Sequence, residues 1–166
     1  MTGKDKRYIF AMLILLVGCV HAHINSYEAS TPEQRSHFKK VRLPLPSGTQ
    51  FKISSGAFSC CTHNSFGYEY AWDFDVPYGT PVLAAEEGVV IQVWEPHAGG
   101  GCDRKYNETA HNIKVAAKDG TVAQYVHVQS KVQMGEFVKK GSEIAVTANN
   151  GFHCVPQLHF NVFQDR

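Results

Sequence analysis

The segment "HNIKVAAKDGTVAQYVHV", His111 to Val128, restricts the fold more than any other. Its two arms alternate apolar and polar residues around Asp119-Gly120. Successive side chains of a strand point to opposite faces, so this alternation marks two half-buried β-strands. Asp-Gly between such arms predicts a hairpin closed by a type I′ turn. Related patterns flank it. "TPVLAA" (80–85) and "GVVIQVWE" (88–95) are rich in β-branched residues, "GEFVKKGSEIAVTA" (135–148) gives two short strands around Gly141, and "LHFNVF" (158–163) is the last. No stretch of this region reads as a long amphipathic helix. The expected fold is all-β, an antiparallel sheet forming an open, barrel-like sandwich over residues 49–166. "WEPHAGGGCDRKYNETAHN" (94–112) is a long loop with a glycine run, the kind of segment that rims a site.

Residues ahead of that domain read differently. Lys4, Lys6 and Arg7 precede the apolar run Tyr8 to Val20, which is too short for an ordinary transmembrane helix. Val20-His21-Ala22 fits the small-residue cleavage rule, which makes 1–22 a secretory signal peptide. A second reading competes for the cut: Leu16 to Cys19 is similar to a bacterial lipobox, with 1–18 removed and a lipidated Cys19 anchoring the chain to a membrane. Both readings place the mature protein outside the cytoplasm, secreted, periplasmic or on the envelope. Residues 23–48 are polar, lack a sustained period and read as a leader or linker.

Export agrees with the cysteines. Four remain beyond Cys19, and an even number in an exported chain points to two disulfides. Adjacent cysteines rarely bridge each other, so Cys60 and Cys61 are expected to pair separately with Cys102 and Cys154. The formal net charge of +1 provides no basic excess for phosphates and argues against a nucleic-acid partner.

Nine histidines direct attention to metal chemistry. Strand alternation puts Gln157 and His159 on one face, Tyr125 and His127 on another shared face, and Asp73 with Asp75 if "YAWDFDVP" is extended. Leu158, Phe160, Trp72 and Phe74 would then pack beneath. His63, Asp73 and His159 are a chemically sensible zinc set, two imidazoles and a carboxylate with a fourth position left for water. Periodicity does not select them: His63 also reads as a loop residue, Asp73 as a turn cap and His159 as a satisfied strand histidine.

The order of elements narrows the choice. "YEYAWDFDVPYGTPVLAAEEGVVIQV", then Tyr125-Val126-His127, the spacing of Gly135, Val138 and Gly141, and finally Pro156-Gln157-Leu158-His159-Phe160 resemble the lysostaphin-type zinc metalloendopeptidases of bacterial cell walls. The resemblance covers roughly residues 55–163. It implies that family's duplicated hybrid β fold, a Zn2+ cofactor and peptidoglycan peptides as substrate. It implies Asp73 and His159 as ligands. It implies His63 as the remaining ligand, with Glu69 a weaker substitute, because the family's usual histidine position holds Glu69. His127 matches the histidine used beside the metal to orient water or stabilise the oxyanion.

Gln157 departs from the pattern, since family members usually carry histidine there. Glutamine donates hydrogen bonds but does not exchange protons near neutral pH. Two functions follow as expectations: a zinc endopeptidase working with an altered pair, His127 and Gln157, or a zinc-binding wall module of little or no activity that binds peptidoglycan or regulates another hydrolase. His153 is a candidate to replace the missing histidine. A carbohydrate-binding β-domain without metal would explain neither the ordered histidines nor Asp73.

Overall fold

A computed structural model describes residues 41–164, apart from 60–62, 64–67 and 97–98. The expected signal segment 1–22, Cys19, the leader as far as residue 40, Cys60 and Cys61 lie outside the described residues.

The described chain forms β1 (Lys52–Ser55), β2 (Trp72–Asp75), β3 (Pro81–Leu83), β4 (Gly88–Trp94), β5 (Gly100–Gly101), β6 (Asn112–Ala116), β7 (Thr121–Val126), β8 (Val128–Ser130), β9 (Phe137–Val138), β10 (Glu143–Thr147), β11 (Gly151–Phe152) and β12 (Gln157–Gln164), with a single 3-10 turn at Arg104–Tyr106. Seven strands make one sheet in the order β1-β2-β12-β7-β6-β4-β9, and β3-β10-β8 make a second. Every pairing in these two sheets is antiparallel. This is the all-β antiparallel architecture that the alternating segments predicted. The exception is a small parallel pair, β11 with β5.

The core lies on one face of the large sheet. Phe74, Val90, Ile113, Val115, Tyr125, Leu158 and Phe160 meet Val82 and Ile144 of the second sheet there. Burying each such aliphatic side chain is worth about 1.5–3 kcal/mol. Those residues fix the register of β12. A slip by one residue would put His159 and Asn161 in the core and expel Leu158 and Phe160. The apolar half of "QLHFNVF" thereby aims its polar half.

Several expectations change on contact with the structure. The 111–128 hairpin forms, but its turn is not type I′. Gly120 has φ +83°, whereas Asp119 is not among the positive-φ residues. Gly120 N–H donates to Ala117 O and Ala117 N–H to Thr121 O, a type I turn followed by a glycine bulge. Asp119 accepts from both the backbone and the hydroxyl of Thr121, which favours the three-residue loop.

Part of the expected leader takes part in the packing. Leu45 is buried in the core, and Arg42 N–H and Pro44 O bond to Ala85 O and Leu83 N–H. Trp72 does not pack beneath the site. It is 39% exposed and its ring lies against Gly56.

The cysteine pairing is also corrected: Cys102 bonds to Cys154, which excludes bridges from either to Cys60 or Cys61. The cause is the parallel β5–β11 pair, which aligns Gly100 with Gly151 and Gly101 with Phe152 and so delivers the two following segments side by side. A Cβ at Gly100 would sit 2.6 Å from the backbone of Asn150, so only glycine permits that approach.

Candidate metal centre

β12 pairs with β2 so that His159 faces Asp73 and Gln157 faces Asp75. All four share the face opposite Phe74 and Leu158, as alternation required. Asp73 and His159 are drawn together: Asp73 Oδ1 and His159 Nδ1 are 2.8 Å apart. His63 comes from the irregular connection between β1 and β2. It is fully buried, its Nε2 lies 3.3 Å from Asp73 Oδ2, and its ring centroid is 5.1 Å from that of His159. One donor atom from each of His63, Asp73 and His159 lies within 4.8 Å of the others, the one such cluster among the described residues. Glu69, the alternative ligand, is not part of it.

The hydrogen bonding of His63 tests whether a cation fits. Gly56 O lies 3.0 Å from Nδ1 and can only accept, so Nδ1 carries the proton. The neutral ring then turns its Nε2 lone pair toward a carboxylate oxygen, two electron-rich atoms in a buried place. Nε2 of His63 is buried without a hydrogen-bond partner, and His159 turns Nδ1 toward the same carboxylate. A divalent cation between the side chains would resolve that conflict, and two imidazoles with one carboxylate are a tetrahedral, zinc-like donor set. The Gly56 carbonyl acts as the outer partner that fixes tautomer and ring angle.

His127 stands beside this cluster for a reason that alternation misses. Its φ is +62°, a left-handed conformation that costs energy for a side chain of this size. That twist ends β7 and turns His127 out of the alternation. Tyr125 and His127 therefore do not share a face. Tyr125 is fully buried against Phe160 at 5.2 Å, with its hydroxyl accepting from Ala85 N–H. His127 instead joins His159 and Val126 along the groove.

Its Nδ1–H donates to Asn150 O at 2.8 Å, leaving the lone pair on Nε2. Burial disfavours the charged ring and pushes its pKa down to about 4, only partly opposed by the Asn150 carbonyl. His127 is thus neutral across the physiological range. In an NMR titration its ring resonances are expected to move only well below pH 6, and a midpoint near the ordinary 6.5 would contradict the assignment. The sign for stability follows. The unfolded chain binds this proton more readily, so stability is complete above about pH 6.5 and declines by up to about 3 kcal/mol as pH falls toward 4.

Asn150 is a positioning residue that sequence reading missed. It is buried, its amide donates to Val128 O, and its side-chain carbonyl accepts from His111 N–H. His153, the candidate replacement for the missing histidine, is committed elsewhere. Its Nδ1 donates to Gly151 O at 3.1 Å, and its Nε2 accepts from the Tyr78 hydroxyl at 2.6 Å. Its ring packs 5.0 Å from that of His127, and burial lowers its pKa.

The cluster opens onto a groove of about 700 Å³. Tyr68, set edge-on to His159 at 5.7 Å, lines it with Trp94, Asn112, Gln124 and Phe152. The loop expected to rim a site does so through Asn107, Glu108 and Ala110. Gln124 and Asn112 had a signal in the sequence, since each sits on the His159 side of an alternating strand opposite Asn161 and Val126. Gln157 shares the face of His159 one cross-strand pair away but is not among the groove-lining residues. Asp75 accepts from the Ser54 hydroxyl and stays out of the cluster.

Comparison with known proteins places the chain in a family. The sequence model of peptidase family M23 matches residues 67–166, a span that contains Asp73, His127, Gln157 and His159 but begins after His63. Lysostaphin of Staphylococcus simulans is 31% identical over 96 residues, 57% of this chain and 18% of lysostaphin. Peptidoglycan DD-endopeptidase ShyB of Vibrio cholerae is 34% identical over 92 residues, 54% of this chain and 19% of ShyB. The chain therefore matches about a fifth of the length of these relatives. The crystallised catalytic domain of lysostaphin from S. simulans superposes with a TM-score of 0.54 at 26% identity, covering 70% of this chain and 82% of that one. A zinc-containing peptidase from V. cholerae shares the fold, with a TM-score of 0.57 at 23% identity over 76% of this chain and 37% of that one. With a family model that matches residues 67–166, well over half of its length, the chain belongs to peptidase family M23.

Proposed function

We propose that this protein is a zinc metalloendopeptidase that hydrolyses peptide bonds of peptidoglycan outside the cytoplasm, free or anchored through Cys19. The observation that carries the reading is the buried His63–Asp73–His159 cluster at an open groove, beside a neutral histidine. His63, Asp73 and His159 would hold the ion. Zinc, when bound, lowers the pKa of water and polarises a carbonyl.

The protein groups do the rest. Gly56 O keeps the proton of His63 on Nδ1, so its Nε2 is available as a ligand. Asn150 O does the same for His127, whose Nε2 lone pair then orients a water by accepting a hydrogen bond from it while the ring stays neutral. Gln157 donates an amide hydrogen bond but carries no proton between groups. The groove walls at Tyr68, Trp94 and Phe152 offer aromatic surface on which the peptide would pack.

Gln157 is the observation that favours a second reading, a zinc-binding wall module with little turnover. The full mature chain separates the two. Zinc per chain is measured by mass spectrometry, and release of fragments from isolated peptidoglycan is followed before and after chelation. The peptidase reading expects one zinc and digestion that stops on chelation. One zinc without digestion, unchanged by Gln157→His, would leave the binding module.

A further inference from the structure

The groove has an electrostatic asymmetry unrelated to the metal ligands. Among the described residues that line it, Glu108 is the one carboxylate and neither lysine nor arginine occurs, the others being two histidines, amides, aromatics and small apolar residues. Glu108 is exposed and has no ion pair among the described residues. The neighbouring Lys105 is committed to Asp103 at 3.2 Å and to the Tyr106 ring at 4.9 Å. Trp94, at the end of β4, lines the same groove and is 52% exposed. Asn112 lies opposite it in register, and Glu108 is only four residues before Asn112. An unneutralised carboxylate and an open indole attract the same kind of group, since an ammonium pairs with the first and sits over the face of the second.

Resting on the peptidase reading, we propose that Glu108 and Trp94 form a subsite for a primary ammonium group of the bound peptide. Two sources share that chemistry: the side-chain amine of a diamino acid and a free N-terminal amine. Recognition there is a specificity device, since neither Glu108 nor Trp94 belongs to the cluster placed to hold the ion.

Binding, rather than turnover, tests it. Three probe peptides are titrated calorimetrically into the full mature chain loaded with zinc: acetyl-Gly-Gly-Lys-Gly-amide, the same peptide with the lysine acetylated, and Gly-Gly-(acetyl-lysine)-Gly-amide with a free N-terminus. At least one cationic peptide is expected to bind about three- to tenfold tighter than the neutral one at low salt, and whichever does so identifies the amine. Glu108→Gln should remove the preference while leaving the neutral peptide's affinity unchanged, and 0.5 M salt should weaken it through screening. Equal affinity for all three peptides, absence of binding by any of them, or a Glu108→Gln loss that includes the neutral peptide would overturn the subsite. Peptidoglycan digestion is assayed in parallel. A preference without digestion sinks the peptidase reading and spares the subsite, and digestion without a preference does the reverse.

Discussion

His159→Ala is expected to abolish stoichiometric zinc binding and, with it, any peptidoglycan digestion. His159 is one of only three side chains placed to hold the ion, and it is locked by the register of β12 against β2 and β7. Loss of an outer partner of a metal site costs about 10–100-fold in affinity. Loss of a ligand itself should exceed that, because neither of the two remaining donors can move to replace it. His63 is pinned through Gly56, and Asp73 sits within a strand. The fold should survive, since Leu158 and Phe160 still anchor the strand in the core. Circular dichroism checks that point while mass spectrometry counts zinc per chain. A folded variant that retains one zinc per chain would refute the ligand assignment. Asn161→Ala, on the same face of β12 but outside the cluster, is the control expected to keep its zinc.

How much of this site the chain announced depends on which physical rule governs each residue. For Asp73 and His159 the strand period of two and an apolar opposite face set only the direction of the side chains, and it was the family resemblance that singled them out as ligands. Their pairing then needed only antiparallel register. His127 obeys no such rule. A left-handed φ redirects it, and nothing in "QYVHV" signals that break. His63 sits in an irregular segment and begins before the span that the family model matches, so only resemblance to a variant pattern suggested it and only its distance to Asp73 locates it. The bridge of Cys102 to Cys154 depends on a two-residue parallel pairing between glycine-rich segments, a contact without hydrophobic periodicity. Leu45 was hidden by its setting. "LPLP" reads as a linker because prolines interrupt any period, yet the leucine between them is apolar enough to fill the core.

Gln157→His is expected to raise kcat by about 10²–10⁴, the usual worth of a positioned proton-transfer group. Residue 157 lies on the His159 face, two positions along β12, which places the Cα atoms about 6.6–6.8 Å apart. An imidazole there would present its ring nitrogens on the face that carries His159. Asp75 faces it across the strand pair and is solvent-accessible enough to accept its second N–H. That carboxylate would hold the ring in one tautomer, as Gly56 and Asn150 do for His63 and His127. The new group exchanges a proton that the amide cannot, while His127, with its pKa near 4, stays neutral as the partner acceptor. The gain should therefore appear in kcat with KM little changed, because the added interaction acts in the transition state and not on bound peptide. It should also add an ionisation in the ordinary histidine range to the pH profile. Unchanged kcat in a zinc-loaded variant would show that Gln157 does not limit turnover. Loss of activity would show instead that the amide is itself a working hydrogen-bond donor, and the second reading would then fall.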